Sequence, residues 1–201
     1  MTLIVFGACL SVVFAVRALG GNYYPATDIE LARIKGSPKA ELHIIGFSDF
    51  ECPACANGAK ILDAYLKMYP QKIYFEARYF PLIQIHRYSL RAATYAQCAA
   101  RQNRFWPVHD QLFQKQSEWK DLLNVDVFFM GIARNAKLDE KALESCLMDP
   151  GVQKIILKDR EEGRQRGVKS TPTYFINGQV FVGPKSLEDE LSKYFGKKTV
   201  P

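Results

Sequence analysis

Cys52-Pro53-Ala54-Cys55 lies between the apolar run Leu42-His43-Ile44-Ile45-Gly46-Phe47 and a helix-forming stretch. Two cysteines at this spacing and at a strand-to-helix junction close a readily reduced disulfide. The first sulfur then faces the unpaired N–H groups of the helix start, which favour its thiolate. One thiol attacks and the other resolves. Structural zinc would need a second close pair of ligands, but Cys98 and Cys146 stand alone with no histidine at ligand spacing. Covalent haem attachment would need a histidine after the second cysteine, and position 56 is Ala56. A purely structural bridge across two residues closes too short a loop to stabilise much. The motif therefore reads as a redox dithiol that uses no cofactor and no metal.

A second element is Ser170-Thr171-Pro172-Thr173, directly before a short strand. Proline entering a strand removes a ladder donor, so it belongs at an edge or turn and often follows a cis bond. Thr171 and Pro172 next to such a proline leave backbone groups free to pair with an extended peptide. A Thr-Pro pair on its own is more often an ordinary turn. Behind a strand–helix C-x-x-C it marks a substrate-holding element.

The elements that must position these residues follow from periodicity. Leu42 to Phe47 reads as a mostly buried strand, and Pro53 sits in the first turn of the next helix, where its missing N–H has no intrahelical duty. That helix carries Ala59, Leu62, Leu66 and Tyr69 and ends before Pro70; Ile73 to Phe80 reads as a second strand. From His86 to about Arg166 the pattern is helical, with alanines at 92, 93, 96, 99 and 100, a stripe of Phe105, Trp106, His109, Leu112 and Phe113, and helix starts at Asp139 and Asp149-Pro150. Asn177-Gly178 between two short strands is a strong hairpin signal, and Ser186 opens a final amphipathic helix. With the helical block lifted out, strand, helix, strand, hairpin, helix is the thioredoxin arrangement. The expected class is α/β, a thioredoxin fold with a helical subdomain inserted between the second strand and the cis-proline strand.

Residues 1–21 are expected to be a signal peptide or N-terminal membrane anchor, because no charge precedes Arg17. Residues 22–40 read as a linker with one helical turn near Ile29 to Ile34, and 41–201 as the folded domain, its insertion spanning about 84–166. The composition, 48% hydrophobic and 12% aromatic, is that of a globular chain and excludes a disordered one. The net charge of +6 comes from 27 basic and 21 acidic residues that are interspersed, which argues against a nucleic-acid partner. Five cysteines are present; with Cys9 in the apolar segment, four remain for the fold, and export suits disulfides. Cys98 and Cys146, each on a helix and facing apolar neighbours, are expected to form a structural disulfide, the alternative being two buried free thiols. His43, His86 and His109 read as packing or hydrogen-bonding residues.

Taken together, Phe47-Ser48-Asp49-Phe50-Glu51-Cys52-Pro53-Ala54-Cys55, Phe80-Pro81-Leu82 with His86, Phe105-Trp106 with His109-Asp110, and Gly167 to Thr173 with Ile176-Asn177-Gly178 resemble the DsbA-like thiol:disulfide oxidoreductases of the thioredoxin superfamily. The resemblance covers roughly residues 40 to 196. It implies an enzyme in the periplasm or at the extracytoplasmic face of the membrane. Its substrates would be reduced or misoxidised exported proteins, and a membrane partner of the DsbB or vitamin K epoxide reductase type would recharge it. Two positions depart from the pattern. Gly46 stands where many relatives keep a buried acid, which leaves Glu76, Asp49 or water to handle the resolving thiol's proton, and Pro53-Ala54 lacks the histidine of the most oxidising relatives. Net oxidation is the expected direction. Reduction or isomerisation by the same fold, and a non-catalytic module that binds or senses a metal, are the alternatives.

Overall fold

The computed structural model describes residues 31–196. The export or anchor segment lies outside these residues, and among them no helix is long and apolar enough to cross a membrane. A five-stranded sheet runs in the order β1-β3-β2-β4-β5, where β1 is Ile34–Gly36, β2 Leu42–Ser48, β3 Ile73–Tyr79, β4 Thr173–Ile176 and β5 Gln179–Val182. Helix α1, Pro53–Met68, connects β2 to β3, which pair in parallel as a crossover connection requires. Six helices follow before β4: α2 Ser89–Arg101, α3 Phe105–Gln114, α4 Gln116–Trp119, α5 Asp126–Asn135, α6 Glu140–Leu147 and α7 Pro150–Gln165. Helix α8, Gly183–Phe195, closes the described chain.

Local chemistry explains the boundaries. Asp139 and Asp149 each cap a helix, their carboxylates accepting the Ala142 and Gly151 amides at 2.7 Å. Asn177 and Gly178 both take positive φ, at 46° and 84°, the pair that a tight two-residue hairpin needs. Asn177 also ties this turn to β2, its Oδ1 accepting the His43 amide at 2.9 Å. His43 itself is exposed and stacks on Tyr74.

Two expectations change. Residues 34–36, read as part of a tether, form an edge strand antiparallel to β3. The linker expected over 22–40 therefore does not extend to residue 40. A strand of three residues is too short to show alternation, and tertiary contacts hold it. Trp106 donates to the Ile34 carbonyl at 3.1 Å, Lys35 sits 4.4 Å over the Trp106 ring, and Gly36 at φ 88° lies so close to the Ile73 carbonyl that no Cβ fits. Helix α8 starts at Gly183 and not at Ser186. Pro184 occupies its first turn, and the Ser186 hydroxyl donates back to the Val182 carbonyl at 2.6 Å instead of capping.

The inserted helices have no separate core. One buried cluster runs from Leu42, Ile44 and Ile73 of the sheet through Leu62 and Tyr65 of α1 to Ala96, Leu112, Trp119, Phe129 and Ile156 of the insertion. A buried ion cluster reinforces the seam. Asp159 of α7 accepts from Arg33, from Arg78 at 2.9 Å and from the Tyr79 amide at 3.1 Å. Cys98 of α2 and Cys146 of α6 are joined by a disulfide whose sequence separation is 48. Closing a loop of that size contributes about 4 kcal/mol in the chain-entropy account.

Candidate active site

Cys52 is the N-cap residue of α1, with Pro53 in its first turn. The Cys55 and Ala56 amides donate to the Cys52 carbonyl at 3.0 and 3.2 Å, so the helix begins at the first cysteine. Both cysteines are free and both are buried, Cys52 at 8% exposure and Cys55 at 1%. The attacking sulfur is thus not at the surface but buried. Thr171 lies against it from the β4 side, its carbonyl 3.4 Å from the Cys52 sulfur, and Gln116 of the insertion donates to the Cys52 carbonyl. The Thr171–Pro172 bond is cis, and the Pro172 carbonyl accepts the Gly183 amide at 2.9 Å. Pro53 is exposed and Ala54 half-buried, packed against the core.

The two sulfurs have opposite electrostatics. The Cys52 thiol is lowered from 9.0 to about 5, first by a hydrogen bond from the Cys55 thiol, against the cost of burial, with help from Thr171 and the Cys55 and Ala54 amides. Cys55 is pushed well above 9.0, first by burial and then by its neighbour's sulfur. The arrangement keeps Cys52 as thiolate near neutral pH and Cys55 as thiol. Alkylation of the reduced protein will therefore modify Cys52 first, at a rate that rises as pH is raised through about 5 and then levels off. Mass-mapped iodoacetamide kinetics check this, and a rate still climbing near pH 9 sinks it. The linkage has a definite sign. Because the folded-state value lies below that of an ordinary thiol, Cys52 ionisation stabilises the reduced fold above about pH 9, and this contribution fades as pH falls towards 5.

Gly46 is filled from outside. A Cβ there would lie 2.8 Å from the Phe75 ring and 3.2 Å from the Tyr174 ring, so no acid fits. Glu76 is not the substitute; it pairs with Arg78 in the ion cluster that includes Asp159. Asp49 does reach the dithiol, its backbone amide donating to the Cys55 sulfur at 3.4 Å. His109 is buried against Phe50 and Phe113 and pairs with Asp110 at 2.7 Å.

Three participants carry little sequence signal. Gln116 donates to the Phe50 and Cys52 carbonyls at 2.7 and 3.0 Å, holding the loop before the helix. Tyr174 is buried with its hydroxyl against Gly58, where a Cβ would meet it at 2.1 Å. A glycine inside the first half of an otherwise good helix was the available hint. His86 lies beside Asp49, brought there by the loop that follows β3.

The sequence model of the thioredoxin family matches residues 30–194. The chain belongs to the thioredoxin family. Among solved thioredoxin-fold structures, Wolbachia pipientis alpha-DsbA1 is similar at 22% identity, covering 85% of this chain and 97% of that one, with a TM-score of 0.68. Oxidised BdbD from Bacillus subtilis is similar at 19% identity, covering 80% and 91%, also at 0.68. The fold is therefore the DsbA-like form of the thioredoxin fold, with its helical insertion. Among curated proteins, the Na(+)/H(+) antiporter NhaA 3 of Salinispora tropica is 30% identical over 163 residues, 80% of this chain and 24% of the antiporter. NhaA 1 of Mycolicibacterium gilvum is 28% identical over 159 residues, 78% and 25%. The chain spans about a quarter of the length of these relatives.

Proposed function

We propose that the protein is a thiol:disulfide oxidoreductase that forms or exchanges disulfides in exported proteins through Cys52 and Cys55, with oxidation as the net direction. The observation that carries this is the free cysteine pair at the start of α1, Cys52 at its N-cap and Cys55 buried in its first turn. A low thiol value at Cys52 makes its thiolate a good leaving group, which favours the reduced enzyme over its own disulfide and so favours oxidation of the substrate.

A substrate thiolate attacks Cys52 in the Cys52–Cys55 disulfide, that bond breaks, and Cys55 leaves with the electron pair and takes up a proton. A second substrate thiolate then attacks the substrate sulfur of the mixed disulfide, a substrate disulfide forms, and Cys52 leaves as thiolate. Two electrons have passed to the enzyme. Thr171 and Pro172, beside the Cys52 sulfur, would hold the substrate backbone during both displacements.

The extracytoplasmic setting and a recharging membrane partner of the DsbB or vitamin K epoxide reductase type rest on the DsbA-like fold. The antiporter relatives, in which the matched stretch is a quarter of a protein named for ion exchange, support a site of action at a membrane. The reduction potential of the Cys52/Cys55 pair, titrated against glutathione, tests the reading together with oxidation of a reduced substrate protein. The expected potential lies above that of a glutathione-buffered cytosol, about −220 mV or lower. A pair more reducing than this, or one that oxidises nothing, rejects net oxidation.

A further inference from the structure

The turn that delivers both sulfurs is held from outside by one side chain. Asp49 to Cys52 form a tight turn, the Cys52 amide donating to the Asp49 carbonyl at 3.2 Å, and the Asp49 amide donates to the Cys55 sulfur at 3.4 Å. The Phe50 and Cys52 carbonyls both accept from Gln116 Nε2, at 2.7 and 3.0 Å. Gln116 is buried and belongs to α4, whose place is fixed by the insertion: the Trp119 indole donates to the Leu112 carbonyl of α3 at 2.9 Å and packs edge-on against Phe129 of α5. The contact is a polar clamp between the helical insertion and the dithiol turn, made by a neutral amide whose charge does not change with pH.

We propose that Gln116 is a positioning residue for disulfide exchange: it holds the Asp49–Cys52 turn in the shape that the reduced dithiol needs, so that the insertion sets how strongly the pair oxidises. This deepens the oxidoreductase reading and rests on it. In the disulfide, a covalent bond ties the Cys52 sulfur to Cys55 whether or not the turn is clamped. The reduced pair has no such bond. Its Cys52 sulfur stays within reach of the Cys55 thiol and of the Cys55 and Ala54 amides only while the turn keeps its shape. The Cys52 carbonyl is the first acceptor of α1, already taking the Cys55 and Ala56 amides at 3.0 and 3.2 Å, so a third donor there fixes the N-cap residue from which the sulfur projects. The clamp therefore stabilises the reduced form more than the disulfide, and a pair stabilised in its reduced form is the stronger oxidant. A clamp with a merely structural role would stabilise both forms alike and leave the potential where it is.

The test is the equilibrium of the full chain with glutathione, read by mass mapping as the share of the Cys52–Cys55 peptide that is bridged, in the wild type, Gln116→Met and Gln116→Asn. Methionine is close to glutamine in length and fills the site without a donor; asparagine keeps the amide on a shorter stem that cannot reach both carbonyls. Gln116→Met should shift the equilibrium towards the disulfide by about tenfold, which makes the potential about 30 mV more reducing. Gln116→Asn should shift it in the same direction by less, and it carries the test alone if the methionine variant does not fold. An unchanged potential in the folded variants, or a shift to a more oxidising one, overturns the proposal while leaving the oxidoreductase reading intact. A wild-type chain with no measurable Cys52–Cys55 couple overturns both.

Discussion

Cys55→Ser will leave substrate proteins covalently held on Cys52. In the proposed mechanism the mixed disulfide between Cys52 and a substrate should be short-lived in the native pair, because the Cys55 sulfur lies within hydrogen-bonding reach of Cys52 and would displace the substrate. Serine is close to cysteine in size and fits the same buried position at the first turn of α1, but its hydroxyl cannot displace a thiol. Its hydroxyl still donates a hydrogen bond to the Cys52 sulfur, so the Cys52 thiol should stay well below an ordinary thiol in this variant. Cys52→Ser should capture nothing, because Cys55 is 1% exposed and held as thiol. Nonreducing gels of exported proteins, followed by mass mapping of the trapped species, check the result. Capture by Cys52→Ser, or adducts on Cys98 or Cys146 in place of Cys52, defeats the assignment of roles.

Asp159→Asn is expected to cost about 3–5 kcal/mol of stability, the range for breaking a buried ion pair by removing one partner. Asp159 is 2% exposed and Arg33 1%. One carboxylate oxygen accepts from Arg33 and the Tyr79 amide and the other from Arg78, so an amide must aim its N–H2 group at one of these donors. Two guanidinium groups would remain inside with no negative partner from this site. Glu76 and Glu162 still face Arg78, which keeps the expected loss from running higher. For a chain of this size the midpoint should fall by about 10 °C or more. Urea and thermal unfolding of the oxidised protein measure it. A loss under about 1 kcal/mol would mean that the cluster is looser than its burial indicates. The redox potential should move little, since Asp159 makes no hydrogen bond or ion pair with the dithiol loop.

Where the chemistry is local, the residues announce the structure. Pro53 after Cys52, the Asp139 and Asp149 caps and Asn177-Gly178 each solve a backbone problem within a few positions of themselves, and each lies where the pattern placed it. The alanine-rich α2 and the aromatic stripe of α3 were legible for the same reason, since helical spacing shows which face is buried. Strand β1 carries no such signal because its three residues are held by Trp106, 72 positions from Ile34, and by β3, where Ile34 pairs with Glu76. Gln116 carries no periodic signal, being a glutamine in a four-residue helix, and the hydrogen-bonding reading of His86 could not name its partner. Their role comes from the Cys52 carbonyl and the Asp49 carboxylate they meet in space.

By itself, the sequence determined that this is a dithiol at a helix start, followed by a helical insertion and a proline-led hairpin, because strand, cap and turn preferences act over a few residues. The tertiary structure decided what surrounds the dithiol. It withdrew Cys52 to 8% exposure beside Thr171, tied the Cys52 carbonyl to Gln116, closed position 46 with the Phe75 and Tyr174 rings, and set the amide of Asp49, itself paired with His86, against the Cys55 sulfur. The charge state of a thiol depends on burial and on donors within a few ångströms; the Cys55 thiol and the Cys55 and Ala54 amides belong to the motif itself, whereas Thr171 reaches it from just before β4 and Gln116 from α4. No stretch of the chain read in order brings them together.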